Sequence, residues 1–264
     1  MTIAEGIVLF LAALVGGALN AVAGGGSFVV LPSLIFTGVG SKLANSTTTV
    51  ALWPGSLASA GAYRKQLAAV ERSMLLLLAT VSVIGGALGA LLLLHTPQKT
   101  FSLLLPYLLL MATLLFTFGG PISRRLREWM LGRGLSTRLF LIGVAVLQLP
   151  ISIYGGFFGG GIGILMLATL GLSGMKDLNS MNALKTALAT CINGAAVLTF
   201  AVAGAVVWPQ WLVMIAGAIA GGYGGARFAL KLDQRLIRVF VIVVGSVMTL
   251  IFFIAPHIPA LQFS

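Results

Sequence analysis

The sequence predicts an all-α polytopic membrane protein of two inverted repeats, each a broken re-entrant helix hairpin plus three transmembrane helices, about ten helical segments in all. Three observations predict it. Of 264 residues, 59% are hydrophobic and 8% are charged, and the mean hydropathy is +1.09, far from the composition of a soluble domain. A glycine-rich break occurs twice inside a long apolar run, as Gly24-Gly25-Gly26-Ser27 and as Gly159-Gly160-Gly161-Ile162-Gly163. The basic residues gather in a few connecting loops, as the positive-inside rule requires of a multi-span chain.

The first segment, 3–22, is apolar with Glu5 near its start. It lacks the basic n-region and the cleavage site of a signal peptide and runs on into the first glycine break, so it reads as part of the fold. Each glycine costs a helix roughly 1 kcal/mol relative to alanine, and three in a row end it. Segment 27–37 follows. At about 1.5 Å per residue it spans about 16 Å, half of a hydrocarbon core of about 30 Å. It therefore reads as a re-entrant half-helix with its N-terminal end inside the membrane. Segments 43–63, 70–94 and 100–118 are long enough to cross.

The pattern then repeats: 139–157 up to the second break, the short 161–172, and the long segments 180–204, 209–231 and 236–254. Residues 1–118 form the first repeat, 119–138 a basic linker and 139–264 the second repeat. Gly85-Gly86-Ala87-Leu88-Gly89 and Gly221-Gly222-Tyr223-Gly224-Gly225 match across the halves, and their small-residue spacing suits close helix packing. Trp53, Trp208 and Trp211 stand near predicted helix ends and suit interfacial belts.

Loop charge sets orientation. Arg64, Lys65 and Arg72 form one basic loop, the linker with Arg124, Arg125, Arg127, Arg133 and Arg138 a second, and Lys231, Arg235 and Arg238 a third. All three are expected in the cytoplasm. The turn at 204–209 and the tail from Ala255 carry no Lys or Arg and are expected outside. An odd number of crossings must then separate the linker from that turn. The count is odd only if the glycine break folds its run back to the side it came from. The same holds in the first half. The halves are thus inverted and both termini lie outside.

The net charge of +11, from 16 Lys+Arg against 5 Asp+Glu, belongs to these loops and does not point to nucleic acid. Cys191 is the only cysteine, and His95 and His257 are far apart, so neither a disulfide, a metal nor a cofactor is expected. Glu5, Glu71, Glu128, Asp177 and Asp233 all fall at segment ends or in loops. Paired-carboxylate catalysis and a mid-membrane carboxylate relay both lack their residues. The chain reads as a transporter of anions, with no enzymatic role.

A helix N-terminus presents unpaired N–H groups and the positive end of its dipole. Glycines let an anion approach that backbone. Gly24, Gly25, Gly26, Ser27, Gly159, Gly160 and Gly161 are therefore the primary candidates, read as an anion site or as a packing hinge. Asn20, one turn before the first break, reads as a ligand or as an interhelical hydrogen bond, and Tyr154 takes the same place in the second half. Asn45 and Thr48 open the third segment, Asn45 reading also as a cap. Asn182, Lys185 and Asn193 lie on the equivalent segment of the second half. Lys185 contacts the anion or snorkels to the interface. Eight positions separate it from Asn193, which puts both on nearly one helix face.

These residues resemble a known family. Gly16-x-x-x-Asn20-x-x-x-Gly24-Gly25-Gly26-Ser27, Pro32, Ala44-Asn45-x-Thr47, Pro54-Gly55 and Tyr63-Arg64 are similar to the first repeat of the TauE/SafE sulfite exporter family. Gly156-x-x-Gly159-Gly160-Gly161-x-Gly163, Asn182-x-x-Lys185-Thr186 and Gly221 to Arg227 are similar to its second. The resemblance implies a permease for sulfur-containing or organic anions such as sulfite, sulfonates or sulfoacetate-like compounds, in a prokaryotic inner membrane. The expected partners are that anion and the lipid bilayer, with room for a homo-oligomer. The missing intramembrane acids favour export without a dedicated coupling ion, since one negative charge moving outward gains about 2.3 kcal/mol per 100 mV. The other readings are an anion channel on the same scaffold and an integral membrane enzyme or assembly factor.

Overall fold

The computed structural model describes the backbone of residues 1–22, 24–131, 137–172, 178–228 and 234–254. Among them every regular element is a helix: α1 (Ile3–Val22), α2 (Ser27–Phe36), α3 (Ser41–Ala62), α4 (Arg64–Leu67), α5 (Arg72–His95), α6 (Gln98–Leu131), α7 (Thr137–Phe157), α8 (Ile162–Leu172), α9 (Leu178–Val202), α10 (Trp208–Phe228) and α11 (Gln234–Ile254). Ile3–Val22, Arg72–His95, Gln98–Gly119 and Ser180–Val202 are long and apolar enough to cross a membrane, and shorter apolar helices accompany them. The protein is a multi-pass membrane protein.

Two elements differ from expectation. The basic stretch after Tyr63 forms the one-turn helix α4. The helix expected to stop at 118 continues to Leu131, through Pro121. A proline is tolerated in a membrane helix where neighbouring groups take over the freed carbonyl, and the Arg- and Leu-rich stretch after it has high helix propensity. The rest of the expected linker, 132–136, the turn holding Asp177, the loop with Lys231 and the tail from 255 lie outside the described residues.

The packing is pseudo-symmetric. Exchanging α1 with α7, α2 with α8, α3 with α9, α5 with α10 and α6 with α11 turns one set of neighbours into the other. Thus α1 packs on α10 as α7 packs on α5, α3 on α10 as α9 on α5, and α2 on α11 as α8 on α6. The pairs α3–α9 and α6–α11 map onto themselves and mark the pseudo-axis. Each broken helix therefore packs on a long helix of the opposite half.

Small residues make these contacts close. A Cβ at Gly86 would lie 2.4 Å from the Ile192 carbonyl oxygen, and one at Gly222 would lie 2.3 Å from that of Gly55. In lipid such backbone proximity replaces the hydrophobic effect as the source of helix association. Phe28, Phe101, Phe116 and Phe158 fill the interior, with Phe28 edge-on to Phe116 at a centroid distance of 5.6 Å. Large apolar side chains such as Leu76, Val146 and Leu198 point outward, which suits a surface covered by acyl chains.

Candidate functional site

The two breaks begin alike and then differ, Gly161 having φ +79° where Gly26 has φ −58°. Gly24 has φ +81° and Gly159 has φ +82°, both in the left-handed region that glycine adopts without penalty. The Gly24 amide donates to the carbonyls of Leu19 and Asn20, each at 3.1 Å, and the Gly159 amide donates to that of Tyr154 at 3.3 Å. The breaks also touch: a Cβ at Gly24 would lie 3.0 Å from Gly163 Cα.

A largely enclosed cavity of about 30 Å³ lies where they meet. That is room for one or two water-sized groups, the scale of a small oxyanion head and not of a lipid. Asn20, Gly24, Ser27, Gly159, Lys185 and Asn193 line it, so six of the expected residues converge. Ile162 and Gly163, the first two residues of α8, also line it, and their amides make no backbone hydrogen bond among the described residues. Unpaired amides at a helix start are suited to an anion.

Lys185 is the one charged side chain of the lining. It is 2% exposed, and its ammonium donates to the Val22 carbonyl at 3.3 Å. Among the described acids, Glu5 accepts from the Thr2 amide at 2.7 Å and Glu71 is exposed; neither lines the cavity. Burying a cation without a counter-ion is costly, and such residues in membrane proteins face binding sites or pathways. Lys185 is thus enclosed by protein, with its ammonium on a backbone carbonyl.

The Asn20 amide donates to the Ser56 hydroxyl at 3.1 Å, tying α1 to α3, and the residue borders the cavity. Tyr154 is structural, its hydroxyl donating to the Gly160 carbonyl at 2.8 Å across the second break.

The remaining candidates lie off the lining. Gly25 faces Val241 and Phe116, Gly26 packs on the Gly16 backbone, Gly160 on the Phe158 ring and Gly161 on Ala112. For these four the packing reading fits. Asn45 donates to the Phe157 carbonyl at 2.9 Å. The Oδ1 atoms of Asn45 and Asn182 and the Thr48 hydroxyl are buried without a hydrogen-bond partner.

Reasoning from sequence alone missed Thr49, Leu52, Ser56 and Ser59 on α3 and Thr186 and Ala189 on α9. The spacing 49, 52, 56, 59 is one helical stripe, and three of its four members are hydroxyl residues in an apolar chain. That was a readable signal. Trp53 is not interfacial: its indole donates to the Thr190 carbonyl at 3.0 Å, between α3 and α9.

The family model described as sulfite exporter TauE/SafE matches residues 9–252. A probable membrane transporter protein of Haemophilus influenzae is 30% identical over 246 residues, 92% of each chain. The probable membrane transporter protein YfcA of Escherichia coli K12 is 29% identical over 92% of this chain and 87% of its own. A probable membrane transporter protein of Sinorhizobium, ORF9, is 27% identical over 90% and 88%. No solved structure matches the chain.

Proposed function

The chain belongs to the TauE/SafE sulfite exporter family, a family with members named as membrane transporters, and from that premise we propose that it is a permease for a small oxyanion, a sulfite, sulfonate or carboxylate. The observation that carries this reading is the Lys185 ammonium, buried at the cavity with no carboxylate beside it among the described residues. An anion entering there gains the ammonium, the α8 amides of Ile162 and Gly163, the side-chain amide of Asn193 and the Ser27 hydroxyl. A cation would meet the same charge and be repelled. The site thus discriminates by sign before it discriminates by shape.

The two repeats cross at this cavity, and movement of one half against the other would open it to each side in turn, the geometry of alternating access. The bacterial relatives and the apolar surface fit a cytoplasmic membrane of a prokaryote, and the loop charges support an orientation with both termini outside.

The test is binding to the purified protein in detergent, by thermal shift and calorimetry, over sulfite, small sulfonates and carboxylates, with cations of matching size as controls. Saturable binding of one oxyanion class, lost in Lys185→Gln, supports the reading. Binding of the cations, or of no anion, overturns it.

A further inference from the structure

Two buried oxygens of α3 have no hydrogen-bond partner, and one of the two residues is bonded to the carbonyl end of α7. Asn45 and Thr48 are each 1% exposed. The Asn45 amide nitrogen donates to the Phe157 carbonyl at 2.9 Å. Exchanging its nitrogen and oxygen would set two acceptors against each other, so the orientation is fixed by chemistry. Asn45 Oδ1 is then left buried with no partner, as is Thr48 Oγ one turn further along α3. An amide oxygen only accepts. It has nothing to offer an oxyanion, and leaving it dry is costly. A cation, or a donor such as a water, completes it. The end of α7 adds the negative pole of a helix dipole and carbonyls that the helix itself does not use.

In the other half a cation stands at the matching helix end, though not on the oxygen of Asn182, which is also without a partner. Val22 ends α1 as Phe157 ends α7, each just before a glycine break. Lys185 stands three residues after Asn182, as Thr48 stands three after Asn45. The Lys185 ammonium sits on the Val22 carbonyl. Where the second repeat supplies a tethered cation to the broken helix of the first, the first repeat supplies two neutral oxygens to the broken helix of the second. We propose that Asn45 Oδ1, Thr48 Oγ and the carbonyl end of α7 bind one sodium ion. Divalent ions call for carboxylate ligands, and neither side chain is one. The close burial of both favours the small monovalent ion over potassium. Export without a coupling ion was inferred from the missing acids, and an all-neutral oxygen site removes that ground.

The experiment is the melting temperature of the purified protein in detergent as sodium chloride replaces choline chloride at constant total chloride. No transported anion is present, so the result is independent of the oxyanion reading. The expected result is a saturable rise with sodium, with potassium much weaker. Thr48→Val keeps the shape and removes the hydroxyl; it raises the half-saturating sodium concentration about tenfold, the effect of one lost charge-assisted contact. Thr48→Lys places an ammonium in the site and abolishes the response. The proposal is overturned by superimposable curves in sodium and choline, by an equal response to potassium, or by Thr48→Val titrating as the parent does. If Thr48→Lys does not fold, Thr48→Val decides.

Discussion

The Lys185 ammonium donates to the carbonyl oxygen of Val22 at 3.3 Å, across 163 positions of sequence. The contact ties the central helix of the second repeat to the end of the broken helix of the first. It also holds the one charged side chain of the cavity lining at the cavity wall.

Lys185→Gln keeps a hydrogen-bond donor and removes the charge. Anion affinity is expected to fall by about ten- to a hundredfold, since hydrogen bonds to charged groups are worth about 1.5–3 kcal/mol. Calorimetry on the oxyanion that binds the parent protein measures it. Unchanged affinity would make Lys185 a clasp for α1 and nothing more.

Gly24 and Gly25 are adjacent but face different surroundings. Gly24→Ala forces a Cβ onto a positive φ, 3.0 Å from Gly163 Cα, and is expected to weaken transport by disturbing the junction of the breaks. Gly25→Leu meets Val241 and Phe116 and is expected to destabilise by about 1–3 kcal/mol through overpacking. Val241→Ala should partly rescue the Gly25 variant and leave the Gly24 variant unimproved. Thermal melts and vesicle flux of the single and double variants decide between these positions.

Gly222→Val drives a side chain into the Gly55 backbone, where even a Cβ would be 2.3 Å from the carbonyl oxygen. The α3–α10 contact has no slack, so a large loss of melting temperature is expected. A variant as stable as the parent would show that this crossing is looser than its geometry implies.

Gln148 is fully buried and donates to the Ser82 hydroxyl at 2.9 Å, but its Oε1 has no hydrogen-bond partner. Gln148→Leu removes the bond and the unsatisfied oxygen together. Interhelical hydrogen bonds in membranes average about 0.6 kcal/mol, so the change is expected to be close to neutral in a detergent unfolding experiment. A loss of several degrees in melting temperature would mean that the orphan oxygen has an unseen partner, such as a water.

Much of the fold was legible because its signals are local. Hydropathy and the glycine runs placed α1, α2, α7 and α8 within a residue or two, since a triple glycine ends a helix whatever surrounds it. The paired motifs predicted a repeat, and helix neighbours in the structure exchange in matching pairs. The extension of α6 to Leu131 was not legible, because Gly119-Gly120-Pro121 reads as a breaker in isolation.

The site was legible only in outline. Sequence by itself determined that this is a multi-pass membrane protein and where its helices break; it left Lys185 between the anion and the interface, and its burial came from the structure. Tertiary structure decided which side of each break faces the cavity and which faces a neighbouring helix: Gly24 and Gly159 on one, Gly25 and Gly161 on the other. The physical reason is that a membrane helix is apolar on nearly every face, so no polar stripe announces its inward side. Facing is settled by contact with helices more than a hundred residues away. The pairing of Lys185 with Val22, and of Asn45 with Phe157, exists only once the two halves have interlocked.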